Sequence, residues 1–306
     1  ELNFKDVPAE LVGSRRMGLI RYVMSLMNGA RLAISSQAVG IAEAAYRCAR
    51  EYAATRVQFG KSIDQIGAVS AMLVRMRTAV LAGRTLLYAT SRYVDLRDVH
   101  DDRCRNGVGD ADDRAKAREY GRLADALTPM AKAFTTEMCN RVAYDAIQVH
   151  GGKGYMRDKL AERYYRDARI TNIYEGTTQL QVVAAIAGVV KRTLDPVYDE
   201  LSALPYSGRL AELAACFGQA RRRVGEAVSA IEAVKDNPRF FDQMAFSVVR
   251  METIAFIGFL LCRDVLADSA RLPLAEEFAA EYLPEFEMHF RYVQNGRTPD
   301  CAVLEL

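Results

Sequence analysis

Between Pro8 and Pro129 the chain contains no proline. Proline lacks a backbone N–H and clashes with the turn before it, so it interrupts helices. A long proline-free stretch rich in Ala, Leu, Met and Arg is therefore open to long helices. Ile66, Val69, Leu73, Met76 and Val80 recur at helical spacing and mark one apolar face. Ser62 followed by Gln65 has the capping-box pattern, which predicts a helix start at Ser62. An earlier helix is predicted over Leu19 to Thr55, with Arg56-Val57-Gln58-Phe59-Gly60-Lys61 as the loop between the two.

From Asp95 to Asp113 the sequence is acidic, contains glycine and lacks periodicity, so it reads as an exposed loop. A helix is predicted over Ala115 to Ala126. Thr128-Pro129 reads as an N-cap with proline at the first position of the next helix, which runs to about Val149 and stops at Gly151-Gly152. Shorter helices are predicted over Leu160 to Asp167 and Thr177 to Leu194. Pro196, Pro205, Pro238 and Pro273 divide the rest into helices over Gly208 to Lys235, Arg239 to Asp268 and Leu274 to Gln294, with a kink or break at Pro284. Only residues 1 to 6 alternate as a strand end does. The fold class is all-α: an up-and-down helical bundle followed by a second group of helices.

Half of the 306 residues are apolar, enough for a large core, and the formal charge is +2. That balance speaks against a nucleic-acid partner, which calls for a concentrated basic excess. Arg221-Arg222-Arg223 reads as a solvated helix face. The six cysteines are scattered without a CxxC pair, and His100, His150 and His289 stand apart, so reduced thiols and no metal site are expected. The longest apolar run, Ile254 to Cys262, is too short to span a bilayer, and no signal-peptide pattern is present. A cytoplasmic protein is expected. Phe240, Phe241, Phe246, Phe256 and Phe259 read as core.

Three clusters carry chemical potential. Arg56, Gln58 and Phe59 on a glycine-containing turn suit a phosphate and a ring, or are simply interhelix polar residues. Gln148-Val149-His150-Gly151-Gly152-Lys153-Gly154 either lets a ligand approach backbone closely or is a helix cap. Ile173-Tyr174-Glu175-Gly176-Thr177-Thr178-Gln179 places a carboxylate just before a helix start, where free N–H groups favour anions. The apolar lead-in from Ile170 predicts a partly dry site that raises the basicity of Glu175; the alternative is that Glu175 only favours the helix N-terminus electrostatically.

In this order the three clusters resemble the C-terminal helical domain of the acyl-CoA dehydrogenase family, over residues 1 to about 194. The resemblance implies that Glu175 removes the α-proton of an acyl-CoA thioester and that the β-hydrogen passes as hydride to flavin N5, giving a trans-2-enoyl-CoA. The developing enolate would be held by the backbone N–H of the glutamate and a flavin ribityl hydroxyl. It implies FAD as cofactor, contacted by Thr177 and Gln179 and, from a neighbouring subunit, by Arg56, Gln58, Phe59, Gln148, Gly151 and Gly152. Gly176, Asn28 and Arg31 would border the substrate, although Asn28 and Arg31 also read as polar residues on a helix surface. A homodimer or dimer of dimers, and an electron-transfer flavoprotein as electron acceptor, are implied in the same way. Gly67 stands where family members commonly have glutamine, which removes one adenosine-side contact.

The resemblance assigns 1–14 to the end of a β domain, 15–195 to the FAD-binding catalytic bundle, and 196–306 to a C-terminal extension. That extension is similar to one in a bacterial long-form subgroup that includes long-chain and 3-methylthiopropanoyl-CoA dehydrogenases. The family's N-terminal helical domain and most of its β domain are absent from this sequence, which begins at Glu1, so a fragment or a split subunit of a bacterial enzyme is expected. Acyl-CoA oxidase and a non-catalytic assembly subunit of the same fold are the competing readings.

Overall fold

A computed structural model describes residues 2–18, 23–233, 237–296 and 303. Glu1, the predicted helix start at Leu19, the helix end at Lys235 and Cys301 lie outside the described residues. Three long helices, α1 (Met24–Thr55), α2 (Gly67–Arg105) and α3 (Ala111–His150), form the bundle. The shorter α4 (Leu160–Thr171) lies on α1 and α3, and α5 (Thr178–Val190) on α3. Then come α6 (Asp195–Ser202), α7 (Gly208–Glu232), α8 (Pro238–Ala267) and α9 (Leu272–Asn295). The last three pack on one another, and α8 and α9 also touch α2. The all-α expectation holds, and the helices on both sides of residue 195 share one buried apolar cluster.

An alanine seam sets the spacing of the bundle. Ala38, Ala42, Ala45, Ala49 and Ala53 of α1 are fully buried, as are Ala143 and Ala146 of α3. Side chains this small at three- and four-residue intervals let helix backbones approach closely. Glu43 ties α1 to α2 by accepting from Arg77 and Arg84 at 3.0 and 2.8 Å, with Arg47 of its own helix at 2.7 Å. Met76 and Val80 are buried, and Ile66, Val69 and Leu73 pack beside them, as their spacing predicted.

Several local expectations are corrected. The stretch read as an acidic loop is mostly helix, with a turn only between α2 and α3. Arg105 pairs with Asp102 at 3.0 Å, while His100 and Arg103 reach Asp113 at 2.7 and 3.0 Å. Asp110 and Asp113 form a reciprocal capping box that starts α3. The acids are thus spent on caps and ion pairs. Pro129 does not begin a helix; it lies inside α3. Leu127, Met130 and Ala131 beside it are fully buried, and packing against both α1 and α2 offsets the lost backbone bond, about 3 kcal/mol. The capping box at Ser62 does not form: Ser62 Oγ donates to Asp64 Oδ1 at 2.5 Å, a 3-10 turn covers Ile63–Gln65, and α2 starts at Gly67.

The segment after α1 is not a plain loop but a minimal hairpin, β1 (Val57–Gln58) paired antiparallel with β2 (Lys61–Ser62). Phe59 and Gly60 turn it with φ of 52° and 77°, the positive-φ pair that matches strand twist. Residues 2–18 contain no strand and are mostly exposed, because the described residues offer them no neighbour to complete a ladder. Pro284 lies inside an unbroken α9.

In the C-terminal region Phe240, Phe256 and Phe259 are core, Phe241 is half-buried, and Phe246 is exposed. Arg221 and Arg223 are not a solvated face. Arg221 pairs with Asp199 and lies over the Tyr198 ring; Arg223 pairs with Glu287 over Phe290. Arg222 alone of the three is exposed. Helix α8 is also longer in its apolar character than the run Ile254 to Cys262: Arg239–Ala267 is long and apolar enough to cross a membrane, but its most apolar window is 89% buried inside the protein, as a core helix is. Among the described residues the cysteines are free, and no group of His, Cys, Asp and Glu is arranged to hold a metal.

Candidate functional site

Residues 172–177 link α4 to α5 in a turn that departs from ordinary backbone. Glu175 has φ of 54° and Gly176 φ of 95°, and Thr177 is the N-cap of α5. A left-handed conformation at a non-glycine residue is costly, so the surroundings must hold it. They do so from beneath. Lys132 of α3 donates through Nζ to the carbonyl oxygens of Tyr174 at 2.8 Å and Gly176 at 2.6 Å. Gln181 Nε2 donates to the carbonyls of Glu175 and Gly176 at 3.2 and 3.0 Å. A Cβ on Gly176 would lie 2.8 Å from that Gln181 nitrogen, so the position needs glycine for space as well as for φ.

Glu137, one turn beyond Lys132, fixes the two ends of the turn. It accepts from Asn172 Nδ2 at 3.0 Å and from Thr178 Oγ1 at 2.5 Å. Tyr174 OH bonds to Gln37 of α1. Lys132 is fully buried. Desolvation pushes its ammonium down to about 8, the nearby Arg31 charge adds to this, and the Glu175 and Glu137 carboxylates oppose it. Neither Lys132, Glu137 nor Gln181 was singled out in the sequence. The available signal was a lysine inside the apolar run Met130-Ala131-Lys132-Ala133-Phe134 on a helix bound for the core.

Glu175 itself is exposed, which corrects the expected partly dry setting. Ile170 and Ile173 of the apolar lead-in are exposed too, at 50% and 42%, so they do not roof the carboxylate within this chain. Arg31 is buried rather than a surface residue. Its Nη1 donates to Asn28 Oδ1 at 3.1 Å, Asn28 donates to Asp125 Oδ1 at 3.3 Å, and the buried Arg31 Nε has no hydrogen-bond partner among the described residues. Arg31 is near enough to Lys132 for its charge to be felt there, which places it on the side of the bundle that carries the Glu175 turn.

The other two clusters meet at one end of the bundle. Cys48 of α1 lies 3.6 Å from His150 of α3, while Asn28 and Asp125 meet near the opposite end, so these two helices run parallel. Their C-terminal ends bring the hairpin beside Gly151-Gly152. His150 stacks on Tyr52 at 4.4 Å and bonds to the Ala146 carbonyl, a packed histidine that closes this end. Arg56, Gln58, Gln148, Gly151 and Gly152 are exposed, and the Phe59 ring is 92% exposed. At 1.5 Å per residue, Lys132 and Gly151 are about 28 Å apart along α3. The first two clusters thus assemble together, and the Glu175 turn stands apart. A mixed-charge cleft of about 480 Å³, lined by residues including Arg75, Arg141, Arg250 and Glu281, does not contain Glu175.

The helical bundle presents the Glu175 carboxylate on a left-handed interhelix turn. The model of the acyl-CoA dehydrogenase C-terminal domain matches residues 20–106 and 111–189, more than half the chain, and the chain belongs to that family. It is 36% identical over 189 residues to the 3-methylmercaptopropionyl-CoA dehydrogenase of Ruegeria pomeroyi, covering 59% of this chain and 30% of that protein. It is 37% identical over 177 residues to an acyl-CoA dehydrogenase of Bacillus subtilis, covering 58% of this chain and 40% of the relative. The chain therefore spans less than half the length of these relatives. An acyl-CoA dehydrogenase from Bacillus anthracis, crystallised with FAD, shares the fold over 92% of this chain and 51% of its own, with a TM-score of 0.71 at 16% identity. That likeness in fold reaches beyond the family-matched bundle into the C-terminal helices.

Proposed function

We propose that this chain is the catalytic helical part of an FAD-dependent acyl-CoA dehydrogenase, in which Glu175 is the base that takes the α-proton of an acyl-CoA thioester. The observation that carries the reading is the Glu175 turn: a carboxylate in left-handed backbone, held by Lys132 and Gln181 through the carbonyls around it and without an ion-pair partner among the described residues. A base must be free to accept a proton, and rigid placement brings it within reach of one. Membership of the family supports the same assignment. Gly176 lies against the substrate, and the buried Arg31 with Asn28 borders its site.

The residues present fit an FAD. The N-terminus of α5, with the half-buried cap Thr177 and the exposed Gln179, suits the pyrophosphate. At the far end, Arg56, Gln58, the exposed Phe59 ring, Gln148, and the side-chain-free Gly151 and Gly152 suit a second flavin nucleotide reaching across from another subunit. A Cβ at Gly151 or Gly152 would meet nothing, so that surface is open to a ligand. The 28 Å between the two ends favours this division over one shared ligand. FAD supplies the acceptor for the hydrogen that leaves the β-carbon. The chain's own residues bind and orient, and Glu175 accepts the proton.

On this reading, 15–195 is the catalytic bundle, 196–306 is an extension packed on it, and 1–14 belongs with a preceding β domain. The whole enzyme is a cytoplasmic bacterial homodimer or dimer of dimers that passes electrons to an electron-transfer flavoprotein. The test uses the full-length protein with its FAD, mixed anaerobically with a series of acyl-CoAs while the flavin absorbance is followed. Wild type should bleach with at least one thioester, and Glu175→Gln should bleach at least about a thousandfold more slowly. Equal rates would sink the base assignment, and a protein that takes up no FAD would sink the enzyme reading. Re-oxidation by oxygen as fast as by a dye acceptor would make it an oxidase.

A further inference from the structure

The inference drawn here rests on the proposed role of Glu175 and concerns the backbone around it. The carbonyls of Tyr174, Glu175 and Gly176 all accept hydrogen bonds from inside the bundle, the first from Lys132, the second from Gln181 and the third from both. The peptides are trans, so each C=O points opposite to the N–H of the same unit. The N–H groups of Glu175, Gly176 and Thr177 therefore face away from Lys132, and none of them donates to a group of the chain among the described residues. Successive unpartnered N–H groups on one side of a left-handed turn form a concavity suited to negative charge.

We infer that Lys132 is a positioning residue for an oxyanion-binding amide: by gripping the Tyr174 carbonyl it aims the Glu175 N–H outward, at the thioester oxygen of an acyl-CoA. When the α-proton passes to the Glu175 carboxylate, the C–H electron pair becomes the enolate double bond and the carbonyl π pair moves onto the thioester oxygen. That oxygen then accepts the Glu175 N–H. A cation bonded to the carbonyl of a peptide unit polarises the unit and strengthens its N–H as a donor. The same grip on Gly176 fixes the turn from the other side of Glu175, so one ammonium orders both the base and the donor.

Two further features fit this role better than a stabilising one. Lys132 is fully buried yet forms no ion pair among the described residues, an arrangement in which the charge is carried at a cost to folding. Desolvation accordingly lowers its ammonium to about 8, close to neutrality but still charged there. Arg31 beside it repels it, and the Glu175 and Glu137 carboxylates attract it. Lys132 nevertheless points its ammonium at backbone carbonyls, and the Glu175 carboxylate has no ion-pair partner among the described residues, as suits a base.

Enolisation alone is measurable with a thioester whose β-carbon carries no hydrogen, such as a 3,3-dimethylacyl-CoA. It can exchange its α-protons for deuterium but cannot be dehydrogenated. In the full-length holoenzyme in D₂O, with exchange followed by mass spectrometry, Lys132→Met should slow exchange about a hundredfold. The dissociation constant for the thioester, the flavin content and the melting temperature should stay near wild type. Lys132→Gln, which keeps an uncharged N–H donor, should fall between the two, and it serves as the test variant if the methionine protein does not fold. Because Lys132 acts through residue 175, adding Lys132→Met to Glu175→Gln should slow exchange no further. Wild-type exchange in both lysine variants overturns the inference, as does a loss matched by lost flavin or weaker thioester binding. Wild-type exchange in Glu175→Gln would instead overturn the base assignment itself, so the two failures are distinct.

Discussion

Glu252 offers a test of packing in the C-terminal helices that does not depend on the reaction. It sits on α8 and is only 6% exposed. The groups facing it are Tyr198, Asp195, Arg192 and Arg221. Both guanidiniums are already matched: Arg192 bonds to Asp195 at 2.7 Å, and Arg221 pairs with Asp199 at 2.9 Å. Tyr198 OH donates to the backbone carbonyl of Glu252 at 3.3 Å. Burial, reinforced by the Asp195 charge, lifts the Glu252 carboxyl from 4.5 to about 7, against the pull of the two arginines. At about 1.4 kcal/mol per unit, that displacement corresponds to ~3 kcal/mol.

The sign follows from linkage. The folded protein favours the protonated acid, so this contribution to stability is complete below 4.5 and is lost as pH rises through about 7. Glu252→Gln, which stays neutral, should match wild type to within about 1 kcal/mol at pH 5 and exceed it by up to ~3 kcal/mol at pH 8. Urea unfolding followed by helical circular dichroism at pH 5, 6, 7 and 8 reads the difference. A gap that does not change with pH, or a wild type that is the more stable protein at pH 8, would refute the argument.

Other substitutions probe other links. A Cβ on Gly258 would fall 2.2 Å from ring carbons of the fully buried Phe217, so Gly258→Ala should destabilise by about 3 kcal/mol, and adding Phe217→Leu should recover part of it in the same assay. Asp110→Ala removes the cap of α3 and should cost about 1 kcal/mol in urea unfolding, while Asp110→Asn should cost far less. Because Phe59 is 92% exposed, Phe59→Ala should leave the melting temperature of the flavin-free protein unchanged. On the proposed reading the same change should weaken FAD binding about tenfold, equivalent to about 1.4 kcal/mol and readable by titrating flavin into the stripped enzyme.

Long periodic segments were legible in the sequence because burial and propensity agree there. The face Ile66, Val69, Leu73, Met76 and Val80 turned inward as its spacing required. The misread stretches share one cause. From Asp95 to Asp113 the acids look like loop residues in isolation, and only their partners, Arg103, Arg105 and His100, make them helical caps and ion pairs. Pro129 looks like a helix start until α1 and α2 are packed on either side of it. Ser62 looks like a cap until its hydroxyl finds Asp64. In each case a tertiary or near-neighbour contact outweighed a local signal of about 1–3 kcal/mol.

The candidate site divides along the same line. Most residues expected to touch ligand cluster in sequence, Arg56 to Phe59, Gln148 to Gly152 and Glu175 to Gln179, while Asn28 and Arg31 rest on resemblance alone. The residues that hold Glu175 in place were not visible in this way, because they lie 42 and 44 positions away from the carbonyls they grip, as Lys132 does, or look like ordinary core polar residues, as Gln181 does. A strained turn cannot hold itself, since the backbone conformation of Glu175 is unfavourable locally at any sequence context short of glycine. The support must come from another helix, and the donor best suited to grip two carbonyls at once is an ammonium, with several N–H groups on a compact head. A lysine in the middle of an apolar run is costly unless it is used. That makes the mismatch between Lys132 and its neighbours the informative feature of Met130-Ala131-Lys132-Ala133-Phe134: the apolar pattern breaks where the Glu175 turn takes its donor.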